Sequence, residues 1–173
     1  AEGRLGRNEK RIALTDGRPW AGPGGFSGIL RTDLGPDAAW DAAPGQGART
    51  GALTAFYGGA ATASLTADPA ADTGRAVAAL AAALPGLAAA ARPGGIGSAW
   101  GASPWSGGAY TSFAPGAYTR FSDFLWIERG RSAAGPAFGN LVFAGEHLSD
   151  AHYGFMNGAA QTGRLAAASL LGA

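Results

Sequence analysis

Lys10 is the only lysine among thirteen basic residues; the other twelve are arginine. Lysine presents a compact ammonium that can hold a water or titrate in a pocket, whereas the planar guanidinium suits carboxylates and phosphates. A lone strand lysine also has the plain reading of a solvated side chain. Cysteine is absent, which removes thiolate nucleophiles, disulfides and cysteine metal sites. The two histidines, His147 and His152, are too few for a histidine-rich metal cluster and suit structural or rim positions rather than general bases. The segment LVFAGEHLSDAHYGFMNGAAQTGRLAAASLL, from Leu141 to Leu171, is the most informative. It reads as strand, glycine-lined turn and helix. Glycine lets backbone approach a ligand closely, and the free N–H groups of a helix beginning near Gly154 favour a pyrophosphate or an electron-rich heterocycle carbonyl. On spacing alone the plainer reading is preferred, a helix packed on a strand with glycine at the joints, Glu146 being a surface acid.

The bulk of the chain bounds what those residues can serve. At 173 residues it has the length of one ordinary domain, with 30 glycines and only 14% charged residues, against about 25% in a typical globular domain. A net charge of +1 gives no electrostatic case for nucleic acid or an anionic membrane surface. Five tryptophans within 10% aromatics argue against a disordered chain. No apolar run reaches the roughly 20 residues of a membrane span; the alanine-rich run Ala76 to Ala91 is broken by Pro85 and Gly86. Ala1 to Arg11 is charged and lacks the apolar core of a signal peptide. The compartment stays open between a bacterial cytoplasm and export directed by another segment.

The elements that must position the chemistry are mixed α and β. Asn8 to Thr15 alternates as a strand and ends at the Asp16-Gly17 turn signal. Pro19 to Gly25 reads as a loop, Phe26 to Thr32 as a strand, and Gly51 to Gly59 as a buried strand. Asp72 or Thr73 is placed to cap a helix running to about Leu84. Gly95 to Gly116 is glycine-rich yet holds Trp100, Trp105, Tyr110 and Phe113, which could line a pocket or fill core. Asn140 to Ala144 is expected as a short buried strand. Gly154 to Leu171 is expected as a helix with Phe155, Ala159, Thr162, Ala166 and Leu170 on one face. No G-x-G-x-x-G follows a strand; GPGGFSG at 22–28 has neither the spacing nor the helix of a dinucleotide fingerprint.

Three segments carry a resemblance that periodicity does not supply. FAGEH…GFMNGAAQTGRLAA resembles the C-terminal flavin motif of the flavin-containing amine oxidases, the group of monoamine, polyamine and L-amino-acid oxidases. WGASPWSGGAYTSFAPG, Trp100 to Gly116, is similar to the segment on the far side of the flavin in that family. The opening GRNEKRIALTDGRPW resembles its strand with a lysine followed ten residues later by an aromatic, here Lys10 and Trp20. The matches are ordered and span nearly the whole chain.

The resemblance implies an α+β arrangement: residues 1–135 as the later part of a substrate-binding domain, with 100–116 lining the pocket, and 136–173 as the last strand and helix of an FAD-binding domain. It implies FAD, a small amine or amino acid as substrate, hydride transfer to flavin N5, reoxidation by oxygen to hydrogen peroxide, and an oligomer. Gly145 and Glu146 match positions along the ribityl and phosphate portion. Gly154, Phe155 and Met156 match the helix start that faces the pyrimidine edge of the ring. Lys10 matches the lysine that holds a water against N5, and Tyr110 and Phe155 the two aromatic walls beside the amine. The family often has tyrosine at the second wall, so Phe155 lacks a hydroxyl. Trp105 matches a pocket-lining position. Ala109 stands where monoamine oxidases carry the cysteine bound covalently to flavin, so non-covalent attachment is expected. The glycine-rich phosphate loop must then come from an N-terminal FAD-binding polypeptide or subunit, the chain being a fragment or one piece of a processed or split enzyme. The alternatives are another flavin oxidoreductase of desaturase type, which the aromatic pair and Lys10 disfavour, and a non-catalytic subunit that keeps the fold.

Overall fold

The computed structural model describes residues 3–22, 28–46, 49–129 and 137–172. In chain order these form β1 (Gly3–Leu5), β2 (Asn8–Asp16), β3 (Ile29–Arg31), β4 (Ala38–Asp41) and β5 (Thr50–Gly58). Then come α1 (Pro69–Leu80), α2 (Leu87–Ala90), β6 (Ile96–Gly97), β7 (Thr111–Phe113) and α3 (Ala117–Arg120). The hairpin strands β8 (Ala137–Phe138) and β9 (Leu141–Val142) precede α4 (Met156–Leu171). They divide into two compact units, Arg7–Gly108 and Ala1–Gly6 with Ala109–Ala173.

The Arg7–Gly108 unit is built on an antiparallel sheet ordered β3-β4-β5-β2-β6. Side chains alternate across it. Arg11, Ala13 and Thr15 of β2 share one face with Leu53, Ala55 and Tyr57 of β5 and Ala39 of β4. That face is core, packed with Ala76, Leu80, Leu84, Leu87 and Trp20. On the opposite face Lys10 lies in a cross-strand row with Phe56 and Ala38, and Ile12 in a row with Thr54 and Trp40. Leu14, Ile29 and Ile96 on this second face are exposed.

Helix α1 begins earlier than its sequence suggests. Asp68 is its N-cap, accepting from the N–H groups of Ala70 and Ala71 at 3.0 and 3.1 Å, and Pro69 takes the first helical position, where its missing N–H costs nothing. Asp72 and Thr73 lie inside the helix and are buried. The predicted cap at Asp72 or Thr73 is therefore corrected to Asp68. Asp72 instead receives the Arg11 guanidinium, with Nε at 3.0 Å and Nη2 at 2.8 Å. Its oxygens also accept the N–H and hydroxyl of Thr66 and a nitrogen of Arg75. Burial pushes the Asp72 carboxyl up, but the Thr66 N–H and hydroxyl and the Arg11 guanidinium outweigh it and hold the group below the usual carboxylate value. Arg11 further donates to the carbonyls of Lys10 and Ser98, so one buried pair ties β2, α1 and the start of the 98–108 segment together.

In the second unit β1 pairs with β7, and β8 with β9, both antiparallel. Its core is Leu125, Ile127 and Leu148, joined by Phe113, Tyr118, Phe121, Trp126 and Leu165. Helix α4 buries Gly158, Thr162 and Ala166. Phe155, Ala159 and Leu170, expected on that face, are exposed. A Cβ on Gly158 would lie 2.5 Å from the His152 carbonyl oxygen and 2.7 Å from Ser149 Cβ, so only glycine lets the helix approach that loop. The expected buried strand Asn140 to Ala144 is corrected: two residues pair, Leu141 is 62% exposed, and Phe143 is exposed as well. With β8 as its one partner among the described residues, the short strand has no second neighbour to bury it.

The strand expected over Phe26 to Thr32 is β3, its residues 26 and 27 lying outside the described residues, as do 23–27 of GPGGFSG. The loop expected from Pro19 opens with a turn of 3-10 helix, Pro19–Ala21. Among the described residues no helix is long and apolar enough to cross a membrane, and no group of three or more His, Asp or Glu could hold a metal ion.

Candidate active site

Ala109, Tyr110, Gly145, Glu146, Gly154, Phe155 and Met156 all belong to the second unit. Tyr110 is held by its main chain. The Gly6 N–H donates to the Tyr110 carbonyl at 2.6 Å, and the Ala109 N–H donates to the Gly6 carbonyl at 2.9 Å. Across the unit, Gly154 turns the chain with φ +83° into Phe155, the N-cap of α4. Tyr110 is 45% exposed and Phe155 67% exposed. Neither fills core.

No side chain caps the start of α4 and no acid stands in its first turn. A carboxylate, Glu146, lies just ahead of it on the Gly154 N–H, and the Gly158 N–H closes on the Phe155 carbonyl. The first-turn N–H groups of Met156 and Asn157 are thus the ones left without a side-chain acceptor. Met156 is exposed, and an open groove of about 740 Å³ runs along the first turns, lined by His152, Met156, Asn157, Ala160, Gln161 and Arg164. The turn feeding the helix is tied by side chains. Thr162, fully buried, accepts the Gly145 N–H at 3.0 Å. Glu146 Oε1 accepts the Thr111 N–H at 2.7 Å and Oε2 the Gly154 N–H at 3.0 Å. The Tyr153 hydroxyl donates to the Thr111 carbonyl at 2.8 Å. Burial, then the charge of Glu146, holds the Tyr153 phenol above its usual value, so it stays a donor.

Glu128 was not among the sequence candidates. Its carboxylate accepts the Ser149 hydroxyl at 2.8 Å and the N–H groups of Asp150 and Ala151, each at 3.0 Å. Burial pushes its carboxyl up, but these donors outweigh it and hold the group below its usual value. It fixes the 149–151 turn ahead of α4. No spacing marks it, because its partners are mainly backbone amides 22 and 23 residues away.

Lys10 and Trp105 belong to the other unit. The Lys10 ammonium lies 5.8 Å from the centre of the Trp40 ring, within cation–π range, and Trp40 tilts against Phe56. Lys10 is thus partly covered by aromatics on the sheet face away from the helix. Its N–H is held by Ser98 Oγ, which donates to Glu9. Trp20, ten residues on, is buried in the core with Nε1 donating to Asp41 at 3.2 Å. Trp105 is 95% exposed and Trp100 is exposed too, so neither is core.

The sequence profile of flavin-containing amine oxidoreductases matches residues 5–171. No curated protein matches significantly. Among solved structures, a putrescine oxidase double mutant is 23% identical with a TM-score of 0.76, over 99% of this chain. Wild-type putrescine oxidase bound to putrescine is 23% identical, with a TM-score of 0.75 over 99% of the chain. Cyclohexylamine oxidase from Brevibacterium oxydans IH-35A is 24% identical, with a TM-score of 0.75 over 98%. At this identity the likeness shows the fold. The chain spans 36% of the length of each of these structures.

Proposed function

Since the chain belongs to the flavin-containing amine oxidoreductases, we propose that it forms the later part of an enzyme that oxidises an amine or amino acid with FAD. The observation that carries this reading is the uncapped, exposed start of α4 with Phe155 and Met156 turned outward. An electron-rich ring edge fits there, where helix N–H groups favour accumulating negative charge. Bound FAD would supply a two-electron acceptor for the hydride on the carbon bearing the amine, giving an imine, with oxygen as the final acceptor yielding hydrogen peroxide.

The chain's own residues bind, orient and exclude water. Tyr110 and Phe155 flank the uncharged amine. Met156 presents its main-chain N–H to the pyrimidine edge, and Gly154, its own N–H held by Glu146, turns the chain beside it. Gly145 and Glu146 lie along the ribityl and phosphate portion, where Thr162 and Glu146's own bonds to Thr111 and Gly154 fix the turn that carries them. Ala109 is assigned a place beside the cofactor; the roles of Trp105 as a pocket-lining residue and of Lys10 as the holder of a water rest on the motif resemblance alone. Residues 1–135 serve the substrate domain and 136–173 the flavin domain. This functional division differs from the compact units, since the described residues 109–129 belong to α4's unit.

An N-terminal FAD-binding polypeptide supplies the phosphate loop and the neighbours that β9 needs. Co-expression with that polypeptide is expected to yield a yellow protein that releases peroxide with members of an amine and amino-acid panel; the chain alone is expected to be colourless or poorly folded. A monodisperse, flavin-loaded preparation of the chain alone contradicts the partner. Ala109 offers no nucleophile, so acid denaturation and filtration of the yellow protein should pass all colour into the filtrate. Colour kept on the polypeptide overturns non-covalent attachment.

A further inference from the structure

Tyr110 and Phe155 are both largely exposed, so core packing does not set the distance between them. Their main chains are tied instead, and one side chain joins the two. Glu146 accepts the N–H of Thr111, the residue after Tyr110, and the N–H of Gly154, the residue before Phe155, at 2.7 and 3.0 Å. Resting on the proposed function, we infer that Glu146 is a positioning residue that fixes the spacing of the two aromatic walls and thereby the amine's fit.

The chemistry suits the task. A carboxylate is an acceptor at both oxygens, so it can bridge two N–H donors, and charge makes each bond stronger than a neutral one. Tyr153 completes the brace by holding the Thr111 carbonyl from the same loop. Thr111 is thus held at its N–H and its carbonyl from the loop leading into α4, while Gly6 holds the Tyr110 carbonyl on the other side. Glutamine in place of Glu146 keeps the size but turns one acceptor into a donor facing an N–H, which breaks one arm.

The test is Glu146→Gln in the holoenzyme, read by amide hydrogen exchange and by steady-state kinetics. Exchange at Thr111 and Gly154 is expected to quicken by about tenfold or more, as local opening becomes easier. KM for the best amine of the panel is expected to rise by about tenfold, the loss of roughly one charged hydrogen bond, when wild type and variant are compared at equal measured flavin content. Tyr153→Phe removes the other tie to Thr111 and should raise KM in the same direction, though less. Flavin loss with KM unchanged, or no change in exchange at the two amides, overturns the brace. If the unaltered enzyme oxidises no amine, the proposed function fails, and the brace is judged on amide exchange alone. Should Glu146→Gln not fold, Tyr153→Phe decides: unchanged KM and unchanged Thr111 exchange overturn the inference.

Discussion

Asp72→Asn is expected to lower the unfolding free energy of the protein by about 3–5 kcal/mol, the cost of leaving a buried charge without its partner. Asp72 is fully buried and Arg11 is 4% exposed, so water cannot replace the lost carboxylate. Arg11→Met should cost less, because Asp72 keeps the Thr66 N–H and hydroxyl and the Arg75 guanidinium. Replacing both, Arg11→Met with Asp72→Leu, should recover part of the loss, because apolar groups of like volume need no solvation. Urea unfolding midpoints measure all three. Asp72 is held below its ordinary value in the folded chain, so its contribution is complete above the unfolded carboxylate range near pH ~4. It fades as the pH falls through the lower folded value. The wild type should therefore lose stability in acid more steeply than Asp72→Asn. Equal midpoints for wild type and Asp72→Asn at neutral pH contradict this account of the core.

Lys10→Met is expected to slow amine turnover by about tenfold or more, the loss of one well-placed polar contact. Methionine keeps much of the stem and its packing on Trp40, so the sheet should stand and flavin binding should change less. Stopped-flow traces of the two half-reactions separate the outcomes. A slowed half-reaction with flavin retained supports the water-holding role. Traces matching wild type in both return Lys10 to a solvated strand lysine that rests on an aromatic ring.

The long strands were legible because their information is local. Alternation over Asn8 to Thr15 and the apolar run after Gly51 locate β2 and β5 to within a residue or two. The start of α1 was not legible, because two aspartates four residues apart could each cap, and Asp72 is diverted by an arginine 61 positions away. The proposed roles of Lys10, Tyr110 and Phe155 came from residue types and motif order, which survive in a linear string. Glu128 and the double acceptance by Glu146 could not be read, because their partners are mainly backbone N–H groups, which nearly every residue carries. Leu141 and Phe143 misled for a related reason. Apolar type predicts burial, but whether a second neighbour lies against a strand is a property of the packing and not of the residues.

The central claim, amine oxidation by a flavin placed at the start of α4, is tested most directly by titrating the complete yellow enzyme with amine in the absence of oxygen. The account predicts that an amine or amino acid bleaches the flavin absorbance, and that readmitting air restores the colour with one hydrogen peroxide formed per flavin, as a two-electron cycle requires. Flavin that stays oxidised with every amine and amino acid tried contradicts it.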